Sequence, residues 1–383
     1  MSLRLSLCLI VKNEERFLEA CVTAARPLVE DVVIADTGST DGTVAIAHAL
    51  GARVIELPFT GDFSAARNSC LDVANGDWVL FLDADEVLPA SEHGDLLSVL
   101  NTALEGCLGL TFLRYNYFNT GGFYASRELR CFRRVDGLRY ERAINESVRG
   151  SIDRLGGFVT DADILLNHFG FCRPVAEREA KAERYLSLFD AQVAKDPGDA
   201  FSLAFEGLIL RTIGRMDEAR AVAASALQLA PNDPLIHLFH GHVVRATDTP
   251  EAALRAYEDA LQLAPTNAAL RNMVGVQLLA TGEPERAREF FRAARAVEPK
   301  LWHTWINEGF AFEYESRMAE ALDCYQIAAR RNPAFMLDTC AGRCERDYFR
   351  STYYETPFGF GGLALHLGRA LAMEAGSLPF TSP

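Results

Sequence analysis

Pro197, Pro231, Pro265, Pro299 and Pro333 stand 34 residues apart, and three other sets of positions keep the same step. They are Gly207, Gly241, Gly275 and Gly309; Ala219, Ala253, Ala287 and Ala321; and Ala226, Ala260, Ala294 and Ala328. Small residues at fixed points suit the crossing of two helices, and a proline at a fixed point suits the end of the second. The second half of the chain therefore reads as a stack of helix pairs, each burying the apolar face of its neighbour.

Four registers that agree at a 34-residue step resemble tetratricopeptide (TPR) repeats, with four full repeats over residues 200–335, about a third of the chain. Gly and Ala let helices approach closely, while Trp305, Phe312 and Tyr325 fill the layers between them. Residues 172–199 read as a linker and a lone helix, Glu177 to Pro197, that caps the first repeat. Residues 336–383 lose the register, turn rich in Gly and aromatics, and are taken as a C-terminal capping segment and tail. Such arrays mostly hold peptides or proteins in a concave groove. Arg211 and Arg245, one repeat apart, would line it. A homodimer, or a brace for the neighbouring domain, is the alternative use of the array.

Composition narrows the rest. A chain of 383 residues, 49% of them hydrophobic, is too long for one ordinary core and implies two or three domains. Its formal net charge of -14 weighs against a nucleic-acid partner, and an anionic substrate would need local cations or a metal. "LSLCLIV" is followed by "KNEER" without a small-residue cleavage site, and no run of 18 apolar residues occurs, so we expect a cytoplasmic protein without an integral membrane segment. Nine scattered cysteines are expected to be reduced; Cys340 and Cys344, with no CxxC pair or His cluster near them, do not make a zinc site.

Before the repeats the pattern changes to short apolar runs separated by helical stretches: "LSLCLIV", "DVVIAD", "RVIEL" and "WVLFLD". Such runs argue for parallel strands buried on both faces. In these sheets the ligand lies beyond the carboxyl ends of the strands, where this chain carries Asp36 after one run and Asp83, Asp85 and Glu86 after another. The DxD pair Asp83–Asp85 suits Mg²⁺ or Mn²⁺, which usually also bind substrate phosphates. A solvated acidic loop is the plain alternative.

Three motifs in order, "CLIVKNEERFLEACV", "IADTGSTDGTVAIAHALGA" and "DFSAARNSCLDVANGDWVLFLDADEVLP", resemble the family-two nucleotide-sugar glycosyltransferases of the GT-A fold. The likeness is greatest to a bacterial branch in which that domain precedes TPR repeats and which includes peptide S-glycosyltransferases of glycosylated bacteriocins. It covers about residues 5–171 and implies an α/β GT-A (Rossmann-like) catalytic domain, residues 1–171, followed by an all-α TPR solenoid. The resemblance implies that Asp36 contacts the nucleoside, that Arg67 reaches the nucleotide, and that Asp83 lies near the ribose and metal. It makes Asp85 a ligand of the divalent ion bridging the diphosphate. In "TGSTDGT" Ser39, Thr40 or Asp41 is expected to cap the next helix, with any phosphate contact secondary.

"RELRCFRRVDGLRYERAINESVRG" resembles the acceptor-side segment of the family, where a His-Glu pair commonly stands; here it is Asn145-Glu146. Glu146 becomes the candidate general base, against the alternative of a glutamate salt-bridged to Arg142 or Arg149. His168, in "LLNHFGF", matches a late histidine that supplies a third metal ligand in several GT-A enzymes, against the alternative of a hydrogen-bonded core residue. Arg127, Arg130, Arg133 and Arg134 either guide diphosphate or form a solvated strand face, and none receives a role. The expected activity is metal-dependent (Mn²⁺ or Mg²⁺), inverting transfer of a sugar from a nucleotide-sugar, a UDP-sugar by resemblance, to a protein or peptide acceptor. A TPR scaffold with an inactive first domain, a glycan- or lipid-directed transferase and a nucleotidyltransferase are the competing readings.

Overall fold

The structure, a computed structural model, describes residues 3–118 and 123–331. The described residues divide into two compact units, residues 3–117 with 125–171, and a second that holds residues 172–331.

The first unit is a mixed sheet with helices on both faces. Its elements in order are β1 (Leu5–Val11), α1 (Leu18–Ala25), β2 (Asp31–Asp36), α2 (Thr43–Ala49), β3 (Arg53–Glu56), α3 (Phe63–Val73), β4 (Trp78–Phe81) and β5 (Glu86–Val87). After these come α4 (His93–Thr102), β6 (Cys107–Phe118), β7 (Phe123–Arg133), α5 (Arg149–Arg154) and β8 (Phe158–Phe171). The sheet order is β3-β2-β1-β4-β7-β6-β8-β5. The four apolar runs become β1 to β4, and these pair in parallel. The other half, which the sequence left unread, joins them antiparallel through β4 and β7.

Side chains alternate across a strand, and here both faces find a core. Leu5, Leu7 and Leu9 of β1, Val32 and Ile34 of β2 and Trp78 and Leu80 of β4 join Leu18 and Val22 of α1 and Leu96 of α4. Cys8, Val33, Ala35, Val79 and Phe81 point the other way, to Cys70 and Leu71 of α3 and Ile152 of α5. That double burial explains why these strands read as unbroken apolar runs. Strand order reverses between β1 and its neighbours β2 and β4, and in sheets of this kind a ligand is placed past the carboxyl ends of the strands at such a point.

The second unit is helical. A long helix, α6 (Val175–Lys195), precedes four helix pairs: α7 (Ala200–Thr212) with α8 (Met216–Leu229), α9 (Pro234–Thr247) with α10 (Pro250–Leu263), α11 (Ala268–Ala280) with α12 (Pro284–Val297), and α13 (His303–Tyr314) with α14 (Met318–Arg331). Leu186 of α6 packs with Leu210 and Ala219 of the first pair, and Phe189 stacks on Phe205 with centroids 6.1 Å apart. The periodic alanines are buried, as the crossing argument requires. A second periodic signal, missed in the sequence, is the N-cap: Asp199, Asp233 and Asn267, also 34 apart, accept from backbone N–H groups of α7, α9 and α11. Residues 336–383, including Cys340 and Cys344, lie outside the described residues. Among the described residues no helix is long and apolar enough to cross a membrane.

The periodic glycines answer to specific rings. A Cβ on Gly241 would sit 2.6 Å from the Tyr257 ring, on Gly275 2.5 Å from Phe291, and on Gly309 equally hard against the edge of the Tyr325 ring. Gly207 lacks a ring opposite and faces Val222 at 3.3 Å. Gly275→Ala should therefore destabilise the array by about 1–3 kcal/mol despite the better helix propensity of alanine. Gly207→Ala should change stability by less than about 1 kcal/mol in either direction. Urea unfolding followed by circular dichroism checks this; equal effects at the two positions would refute the ring-packing account.

Candidate active site

Asp36 ends β2 and Asp83 follows β4, one strand to either side of β1 and on the same edge of the sheet. Two strand spacings put them roughly 10 Å apart. Asp36 is buried and accepts from the backbone N–H of Gly38 and Ser39, each at 3.0 Å, which turns the following loop across the strand end. The loop is tied down by the first motif: Asn13 Oδ1 accepts from Thr40 N–H at 2.7 Å, Glu15 from Gly42 N–H at 2.7 Å, and Ser39 Oγ from Asn13 N–H. Ser39 and Thr40 thus do not cap α2. Its N-cap is Gly42, and Asp41 alone of the three accepts from its first turn, at Thr43 N–H. Asn13 and Glu15 went unassigned in the sequence, although "KNEE" was part of the motif.

On the other side of β1 the charged side chains form one connected network. Arg67, on α3, donates from Nε to Glu146 at 2.6 Å and from Nη2 to Asp83 at 3.0 Å. Its guanidinium lies against the rings of Phe81 and Tyr140, 4.7 and 5.3 Å from their centroids. Arg67 Nη1 is buried and has no hydrogen-bond partner. Arg130 of β7, 8% exposed, donates from Nη2 to Asp83 at 2.7 Å and to Glu86 at 2.6 Å. Arg114 of β6 joins Glu86 to Glu128, at 3.1 and 2.8 Å. Of the four arginines left unassigned, Arg130 is therefore a member of the site; its signal was the i, i+3 placement from Arg127 in a strand, which by itself says nothing of which face is buried.

Glu146 reaches Arg67 because α3 and the segment before Glu146 are laced together. Ser64 Oγ donates to the Arg142 carbonyl, Phe63 N–H to the Ala143 carbonyl, and the Asn68 side chain bonds both backbone groups of Tyr140. Asn145 takes a left-handed conformation, φ 53°, at the bend. The salt bridge that the sequence allowed for Glu146 exists, but with Arg67 in place of Arg142 or Arg149. Arg149 pairs with Asp153 instead.

Asp85 and His168 meet through strand pairing. The two residues of β5 run antiparallel to β8, setting Glu86 opposite His168, and Phe169 N–H donates to the Asp85 carbonyl at 2.8 Å. His168 Nε2 then stands 3.3 Å from Asp85 Oδ1, with Nδ1 2.7 Å from Asn116 Oδ1. Gly170 makes room: a Cβ there would come within 2.5 Å of His168 Nε2 and 2.7 Å of Asp85 Oδ2.

This pair fits a hard divalent ion. Adjacent ligands of an octahedral ion bound at about 2.1 Å lie roughly 3 Å apart, close to the separation of these two atoms. Around the pair, Asp83, Glu86, Glu128 and Glu146 are tied together by the guanidinium groups of Arg67, Arg114 and Arg130. Among the described residues no group of three or more His, Cys, Asp or Glu side chains is arranged to hold a metal alone, so water and substrate oxygens would complete the shell.

Asp83 is held well below the usual carboxylate range: burial pushes it up, and Arg130 and then Arg67 more than offset that. A folded-state value below the unfolded one, about 3.9, stabilises the fold above that pH and is lost as pH falls through the folded value. Asp83→Asn should thus lower the urea midpoint at pH 7 and flatten its decline between pH 4 and 2 relative to wild type. Parallel pH curves for the two proteins would contradict this assignment.

Comparison with known proteins finds a family match in each half of the chain. Residues 6–163 match the family model described as glycosyl transferase family 2, and residues 245–304 match one described as tetratricopeptide repeat. A TPR repeat-containing protein of Synechococcus elongatus is 31% identical over 239 residues, 61% of this chain and 59% of that protein. An uncharacterized glycosyltransferase of Rickettsia felis is 39% identical over 88 residues, 22% of this chain and 30% of the relative. The SPbeta prophage-derived glycosyltransferase SunS of Bacillus subtilis is 23% identical over 214 residues, 55% of this chain and 50% of the relative. The chain spans about three fifths or less of the length of these relatives. It carries a glycosyl transferase family 2 domain in its first half and tetratricopeptide repeats in its second.

Proposed function

We propose that the first domain transfers a sugar from a nucleotide-sugar, with UDP as the carrier, in a divalent-metal-dependent, inverting reaction. The acceptor is a protein or peptide that the repeats present. The observation that carries this reading is Arg67, whose buried guanidinium is fixed by two carboxylates and two rings while Nη1 has no protein partner. An arginine so placed past the carboxyl ends of the strands is a preorganised donor for a phosphate oxygen.

In this reading Asp36 holds the nucleoside and Asp83 keeps Arg67 turned toward the ribose and diphosphate. Mn²⁺ or Mg²⁺ held by Asp85 and His168 would offset the charge that grows on the departing nucleoside diphosphate. Arg67 Nη1 donates to the same group, a contact that strengthens as the charge develops. Glu146 takes the proton of the acceptor nucleophile as it attacks the anomeric carbon from the face opposite the diphosphate, so configuration inverts. Its carboxylate already accepts from Arg67 Nε, which holds it beside the same arginine that reaches the diphosphate.

The domain limits that go with this function are residues 1–171 for catalysis, 172–199 for the linker and cap, 200–335 for the repeats and 336–383 for the tail. The buried thiols of Cys8, Cys21, Cys70, Cys107, Cys131, Cys172 and Cys324 suit the reducing cytoplasm. The Arg67–Glu146 pair also favours a second reading, in which the domain binds a nucleotide without turning it over and the repeats act as a scaffold.

Calorimetric titration of UDP, with Mn²⁺ and with EDTA, tests the proposal. Binding should require Mn²⁺ and weaken at least about tenfold in Asp85→Ala. No binding of UDP, GDP or dTDP to folded protein would overturn it. For the acceptor, a polypeptide that co-purifies with the whole chain should be lost on deletion of residues 200–335, and unchanged transfer to a glycolipid by the deletion variant would refute the presenting role.

A further inference from the structure

The hydrogen bonds behind His168 have a direction, and it is set at their far end. Glu128, paired with the Arg114 guanidinium at 2.8 Å, serves as an acceptor, and the Ser126 hydroxyl donates to it at 3.1 Å. With its proton committed, Ser126 Oγ accepts from Asn116 Nδ2 at 3.2 Å, and the same nitrogen approaches the Arg114 carbonyl at 3.4 Å. Both neighbours call for a donor, so the amide nitrogen of Asn116 faces them and its oxygen faces His168. Asn116 Oδ1, 2.7 Å from His168 Nδ1, then requires the imidazole hydrogen on Nδ1. A neutral imidazole has one N–H, so Nε2 presents a lone pair to Asp85 Oδ1 at 3.3 Å. Two lone-pair atoms at that distance repel each other unless a second imidazole proton or a metal cation lies between them.

We propose that Ser126 and Asn116 are positioning residues that fix the His168 tautomer, so that His168 Nε2 and Asp85 together form a divalent-cation site. The proposal rests on the metal-dependent donor site above and extends it to two residues that act through His168. Asn116 has no exposed surface, and a buried amide is costly unless its hydrogen bonds serve a purpose that a similarly sized apolar side chain would not. Partners of a metal-bound histidine set its ring orientation and tautomer, and their removal typically weakens metal binding 10–100-fold.

The test is direct Mn²⁺ binding to the full chain without nucleotide, read as free Mn²⁺ by electron paramagnetic resonance, with thermal unfolding measured on every variant. Asn116→Leu should weaken Mn²⁺ binding by about 10–100-fold, and Ser126→Ala by about fivefold, because the Arg114 carbonyl still orients the amide. Asn116→Asp, which keeps an oxygen acceptor toward Nδ1, should stay within about threefold of wild type. Wild-type affinity in a folded Asn116→Leu protein overturns the proposal, as does an equal loss in Asn116→Leu and Asn116→Asp, which would mark a packing role. Should Asn116→Leu not fold, unchanged affinity in Ser126→Ala overturns it. Absence of Mn²⁺ uptake by the wild type overturns the metal assignment itself, and the UDP titration then shows separately whether nucleotide binding survives.

Discussion

The pairing of Glu86 with two arginines is the interaction on which the site depends. Glu86 has no exposed side-chain surface, and a carboxylate in that position is costly without cations beside it. Arg114 and Arg130 meet that need from two strands of the antiparallel half of the sheet. The second oxygen of Glu86 accepts from Asp83 N–H at 3.0 Å, so the same residue that draws in the arginines also fixes the loop carrying Asp83 and Asp85. Breaking such a pair by removing one partner leaves the others buried and uncompensated, which makes the loop conformation all-or-none.

From that anchor the network runs outward in both directions. Arg130 reaches Asp83, Asp83 reaches Arg67, and Arg67 reaches Glu146, so the candidate base and the DxD pair share one chain of charges. In the other direction Arg114 leads to Glu128 and through Ser126 and Asn116 to His168. The two branches return to adjacent points of the sheet, because β5 and β8 pair with Glu86 opposite His168. Low local dielectric strengthens such connected bonds and penalises any gap among them.

The repeats follow a simpler rule. Glycine on the first helix of a pair and an aromatic ring on the second form a lock in three of the four pairs, and the caps Asp199, Asp233 and Asn267 start three of the first helices. The fourth pair begins after Trp302 without a side-chain cap, and the first uses Ala223 where the others place a ring. These departures fall at the two ends of the array, where each repeat has a different neighbour to satisfy.

Much of this was legible in the sequence. The four parallel strands stood out because burial on both faces leaves no room for polar alternation, and the repeats because identical packing recurs every 34 residues. Asp36, Arg67, Asp83, Asp85, Glu146 and His168 were each identifiable as chemistry-bearing residues within motifs. Their partners were not: Arg130 looked like any strand arginine, and Asn116 and Ser126 belonged to no motif at all. Sequence alone determined β1 to β4 and the repeated helix pairs, since periodicity and apolar runs are properties of neighbouring residues. Only the tertiary structure decided that Glu146 meets Arg67 and that Asp85 meets His168. Those contacts span 79 and 83 positions, and they arise where backbone pairing between distant strands and loops sets one side chain against another.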